Sequence, residues 1–138
     1  MDEKRTVLYL SLLSSEISLK ALLEQAGIPI QQIKGRNHRL VVLLNDLSKC
    51  KFKTEIGGGV EGWVNAAAVR AITVDEVYGN ATIGTLLSAE TKGAVQYPNQ
   101  IRYGENIYHY PAELMLEAAS LLNAWAKENF NTIKLIEE

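Results

Sequence analysis

Imidazole, thiol and paired carboxylates carry most protein chemistry, and this sequence holds little of the first two. His38 and His109 are its histidines and Cys50 its one cysteine. A structural zinc site takes four ligands, mostly Cys and His, so three scattered candidates point to no metal. His109 and Glu113 are four apart, but Pro111 between them marks a strand-to-helix boundary, where no regular scaffold aims both at one ion. Nucleophilic catalysis needs a Ser or Cys within reach of a base that a third group orients. Cys50 alternates with lysines and reads as a small core residue. None of the serines lies in a Gly-x-Ser-x-Gly setting. His109, between Tyr108 and Tyr110 at a hairpin end that feeds a helix, is the best-placed acid or base, with Glu105 or Glu113 as its carboxylate; a histidine tied into a local turn is the plainer reading. Gly57, Gly59 and Gly62 satisfy Gly-x-Gly-x-x-Gly. A dinucleotide site needs that pattern between a buried strand and a helix, whereas the residues before it, Lys51 to Ile56, are amphipathic and charged. A hairpin loop is expected, and no cofactor.

Charge points to binding rather than catalysis. The net charge is −2, but Lys34, Arg36, Arg39, Lys49, Lys51 and Lys53 stand against Asp46 alone. This segment carries +5 on a body of −7. Such a segment attracts an anion or an acidic partner; the bland alternative is two strands showing solvated lysines. The candidate ligand-binding residues are Arg36, His38, Arg39, Lys51 and Lys53, with Arg102 and His109 joining from a later hairpin. Arg36 and Arg39 suit bidentate grip of a compact phosphate-bearing molecule. Single-stranded nucleic acid demands exposed aromatics among the bases. Phe52 faces away from the lysines, the tyrosines cluster at Tyr97, Tyr103, Tyr108 and Tyr110, and the isoelectric point is near 5.7, so nucleic acid is not the expected partner.

The elements that must position these residues follow from pattern. Thr6 to Leu13 fits a buried strand or the first turns of a helix. Ser14 or Ser15 offers an N-cap, Ile17 to Ala26 carries an apolar face, and Gly27 with Pro29 ends it, so a helix is expected over Ser18 to Ala26. Leu40 to Leu44, continuous and partly β-branched, reads as the best buried strand. Lys49, Lys51 and Lys53 alternate with Cys50 and Phe52, a half-exposed strand with its lysines on one face. Ala66 to Val77 is open between helix and strand. Hairpins are expected at Tyr78 to Ala81 and over Ile101 to Tyr110. Pro111 opens a helix from about Ala112 to Asn129, its stripe running through Leu114, Ala118, Leu121, Leu122 and Trp125. Ile133, Leu135 and Ile136 suit an edge strand.

Gly62-Trp63-Val64, after a glycine-rich turn, resembles the last hairpin of bacterial SH3-like barrels. The resemblance covers about 15 residues and implies a small twisted sheet that binds a peptide or partner. Trp63 is then a core residue or a groove aromatic, with core the expectation, because large aromatics dominate small cores.

The whole chain of 138 residues is long enough for one self-sufficient domain. Its longest apolar run, five residues, is far short of the ~20 a spanning helix needs. A lone cysteine makes no internal disulfide, which suits a cytoplasmic protein. The expectation is an α+β fold, an antiparallel sheet of about five or six strands with both helices packed on it. The function expected is non-enzymatic: interaction or assembly, by self-association or a protein partner through the broad stripe of the C-terminal helix. The alternatives are an anionic small-molecule binder using residues 34–53, and an unfamiliar enzyme centred on His109. No membrane association is expected.

Overall fold

The N-terminal forty residues turn out more helical than their serines suggest. The computed structural model describes residues 3–75, 81–88 and 111–137. Helix α1 runs over Glu3–Ala26 without a break. Leu8, Leu12, Leu19, Leu22, Leu23 and Ala26 line its inner face at helical spacing, and Ser11, Ser15 and Ser18 sit in the same stripe. The serines do not cap. Ser11 donates its hydroxyl to the Val7 carbonyl at 2.7 Å and Ser15 to the Ser11 carbonyl at 2.9 Å, so each polar group is satisfied four residues back and the helix continues. This settles the open reading of residues 6–13 as helix and corrects the start expected at Ser18. The end is where glycine placed it. Gly27 takes a φ of +108°, its N–H reaches the Glu24 carbonyl, and the Ile28 N–H reaches the Leu23 carbonyl, the paired bonds of a Schellman cap.

Among the described residues α1 is the helix long and apolar enough, by length and composition, to cross a membrane. The serines break its apolar runs but not its average. Half of the qualifying window is buried inside the protein.

Short helices follow: α2 over Ile30–Gly35 and α3 over Leu40–Asp46. The expected strand at Leu40 to Leu44 is therefore corrected to helix. Leu40, Leu43 and Leu44 are buried while Val41 and Val42 are partly exposed, and that spacing is helical. A continuous apolar run has no period of its own, so packing chose.

A 3-10 turn at Leu47–Lys49 leads into strand β1, Cys50–Gly57, which pairs antiparallel with β2, Val60–Asn65. Gly58 and Gly59, at φ of +58° and +79°, make the turn. Two successive positive φ values suit a tight hairpin, and only glycine adopts both at no cost. A 3-10 helix at Ala66–Ala71 follows, its start capped by Asn65, whose Oδ1 accepts from the Ala67 N–H at 2.8 Å. Strand β3, Thr73–Asp75, pairs antiparallel with β4, Ala81–Thr82, and α4 spans Ile83–Leu87. The ambiguous stretch thus divides into a 3-10 helix and a strand. The turn residues 78–80, and the hairpin expected over 101–110, lie outside the described residues.

Helix α5 spans Ala112–Asn129, as its pattern requires. It lies chiefly against α1, with Leu114, Met115, Ala118, Ala119, Leu122 and Ala126 buried. The chain ends in β5, Lys134–Leu135, which adds to the free edge of β1. The fold is α+β, with an open three-stranded sheet ordered β2-β1-β5 and a separate two-stranded one. Among the described residues the five strands thus form two sheets rather than the single sheet expected, and the strands expected over 101–110 lie outside the described residues. The inner face of the larger sheet joins the helices where Phe52 meets Trp125 edge-on, centroids 5.1 Å apart.

Candidate functional site

Alternation along β1 buries Cys50 and Phe52 and turns Lys51 and Lys53 outward. The register then selects the neighbours. Lys53 lies opposite Trp63 of β2, and Lys51 opposite Lys134 of β5. Two further bonds extend the β1–β5 edge: Ile136 N–H to the Lys49 carbonyl at 2.9 Å, and Lys53 N–H to Thr132 Oγ1 at 3.0 Å. Trp63 is not the core residue expected; it is 44% exposed on the outer face of the sheet.

Three ammonium groups converge on its indole. The Nζ atoms of Lys134, Lys51 and Lys53 lie 4.5, 4.9 and 6.0 Å from the ring centroid. The ring quadrupole attracts cations, worth about 0.5–1 kcal/mol at exposed sites. Like charges directly opposite across strands repel, however, and Lys51 and Lys134 are such a pair. Lys53 reaches Glu61 at 3.7 Å, both side chains well exposed, a contact of little energy. Lys51 and Lys134 make no ion pair among the described residues. The face thus carries uncompensated positive charge around an exposed aromatic plane, which suits an anion with a flat apolar part.

Arg36, Lys49 and His38 are engaged by the protein itself. Arg36 binds Asp46 bidentately, Nε to Oδ2 at 2.8 Å and its second nitrogen to Oδ1 at 3.1 Å. Lys49 approaches the same buried carboxylate at 3.5 Å. His38 Nδ1 lies 2.9 Å from Oε1 of Glu16, a buried carboxylate that also takes Lys20 at 3.0 Å. Arg39 is exposed at the N-terminus of α3. Arg102 and His109 lie outside the described residues. The structure therefore gathers Lys51 and Lys53, and keeps Arg36 and His38 apart from them on inward-facing carboxylates.

Cys50 is fully buried. Desolvation, reinforced by the Asp46 charge and opposed by Lys49, pushes its thiol up to about 11. It is not a thiolate at neutral pH and supplies no nucleophile. Among the described residues no three His, Cys, Asp or Glu side chains are placed to hold a metal. Gly57 ends β1, Gly59 lies in the β1–β2 turn and Gly62 in β2. A shallow groove of about 330 Å³ runs between α1 and α5, lined mainly by apolar atoms of Ile17, Ala21, Leu22, Ala126 and Phe130.

Sequence reasoning missed Lys134 and favoured the core over the exposed alternative for Trp63. One signal was present: a tight hairpin at Gly58-Gly59 sets Trp63 opposite Lys53. Nothing local indicates Lys134, which reaches the face through pairing with a strand far back in the chain. Comparison of the chain with family models, with curated proteins and with solved structures returns no match in any of the three.

Proposed function

We propose that the chain is a non-enzymatic, cytoplasmic binding module that takes an anionic partner on the outer face of the β2-β1-β5 sheet. The observation that carries this reading is the convergence of Lys51, Lys53 and Lys134 on Trp63. Cross-strand repulsion between Lys51 and Lys134 is relieved when an anion bridges them, so binding is favoured by the arrangement of the free protein. The single thiol, Cys50, is buried beneath the sheet and takes no part in this face.

Titration with inorganic polyphosphate at low ionic strength, followed by calorimetry, tests the reading. Binding that weakens with salt, and that falls several-fold in Lys51→Ala and again in Lys134→Ala, is expected. Absence of heat and of any change in indole fluorescence refutes it.

Self-association is a second reading. The stripe of α5 that suggested it is largely spent against α1. The α1–α5 groove is the observation that keeps it, with Ile17 and Phe130 exposed at its lip. A monomeric mass across micromolar concentrations by light scattering removes it.

A further inference from the structure

We propose that the occupant of this face is single-stranded nucleic acid, with phosphates on Lys51, Lys53 and Lys134 and one base stacked on Trp63. This rests on the anion-binding reading and narrows it. A small inorganic anion uses the lysines and leaves the indole without a role. A nucleic-acid strand uses both, because every base presents a π-face and every linkage a charge. The Lys–indole contacts of the free protein do not obstruct this. Each lysine ends on a flexible four-carbon stem, so the ammonium groups turn from ring to phosphate and uncover the plane they guard.

Shape favours an extended ligand over an enclosed one. The three strands lie side by side, about 4.7–4.9 Å apart, and form an open platform. Among the described residues, the α1–α5 groove and the hollow beside Arg70, Thr82 and Thr85 are lined by other residues. A duplex keeps its bases stacked inside and offers none to the indole, so the strand is single. An acidic peptide meets the lysines equally well, but a protein partner anchors itself by side chains set in desolvated pockets, and the hollows found among the described residues lie away from Lys51, Trp63 and Lys134. The chain apart from residues 34–53 is net acidic, which disfavours a polyanion over much of the remaining surface. The expectation against nucleic acid rested on the lack of an aromatic among the lysines and on an isoelectric point near 5.7; Trp63 supplies the aromatic, and the acidity belongs to the whole chain rather than to this face.

The test uses the full chain, a fluorescein-labelled deoxythymidine octamer read by anisotropy, and inorganic polyphosphate as the anion without bases. Trp63→Leu is expected to weaken octamer binding about tenfold, the scale of one stacked base, and to change polyphosphate binding less than twofold. Trp63→Phe restores most of the loss, and Trp63→Thr, which removes the ring but suits an exposed strand position, takes the place of the leucine variant if circular dichroism shows that variant unfolded. The double variant Lys51→Ala, Lys134→Ala weakens both ligands and lowers the log–log salt slope for the octamer by about 1.4, the value for two phosphate contacts on a single strand. Equal binding of the octamer by Trp63→Leu and native protein overturns the proposal and leaves the anion-binding face standing. So does a duplex bound as tightly as the single strand. If native protein binds neither octamer nor polyphosphate, the anion-binding reading falls and this one with it.

Discussion

Replacing Arg36 by alanine removes the bidentate partner of Asp46 and separates the structural from the binding half of the basic segment. The Asp46 side chain is 7% exposed and that of Arg36 28%. Breaking a fully buried pair costs about 3–5 kcal/mol, because a charge is left without compensation, while exposed pairs are worth about 0–1 kcal/mol. This pair lies between. Its carboxylate is buried, its guanidinium is partly wet, and Lys49 remains at 3.5 Å to share the charge. A loss of about 2 kcal/mol follows, or roughly 6–8 °C in Tm for a chain of this size. Replacing both partners by leucine is expected to recover most of it, since no buried charge then remains. Urea unfolding followed by fluorescence reads the effect, because Trp125 packs edge-on against Phe52 and reports the joint between sheet and helices. Polyphosphate binding by Arg36→Ala should stay within about twofold of native, since Arg36 is engaged away from the lysine face. A loss under about 0.5 kcal/mol, the scale of an ordinary surface change, refutes the structural role. Abolished anion binding in a folded Arg36→Ala protein returns Arg36 to the ligand set.

Cys50 should resist thiol reagents at neutral pH until the protein unfolds, in rapid-mixing assays with and without urea. Its thiol rises from 9.0 to about 11 in the folded state. The stability linked to it is therefore complete below about pH 9 and declines as pH rises toward 11, and Cys50→Ala should lack that part of the slope. Leu22→Ala, in the fully buried stripe of α1, should cost about 2–5 kcal/mol in urea unfolding. Gly59→Val should cost about 1–2 kcal/mol from backbone strain alone, since its φ is +79° and a side chain there meets nothing; Gly59→Asn, measured the same way, should cost clearly less.

The features legible in advance were local ones. The stop at Gly27, the hairpin at Gly58-Gly59, the outward lysines of β1 and the bounds of α5 each depend on a backbone preference or a period within a few residues. The two elements misjudged share a cause. Leu40 to Leu44 is apolar at every position, so it carries no period, and burial of three of its five residues decided for helix. Ser14 and Ser15 looked like caps because a hydroxyl bonds a free amide or a preceding carbonyl equally well, and the packing of α1 against α5 decided for the second.

The candidate site shows the same division on a larger scale. By itself the sequence determined that positive charge gathers between Lys34 and Lys53, that Lys51 and Lys53 share a face, and that a tryptophan follows a tight turn. Tertiary structure decided which charges are free. It spent Arg36 and His38 on carboxylates turned inward from α3 and α1, and it brought Lys134 to Trp63 by laying the C-terminal strand on β1, where Lys53 and Thr132 bond across 79 residues of chain. A side chain's own type sets its charge, whereas its partner is set by register and burial, and both of those depend on contacts between residues distant in sequence.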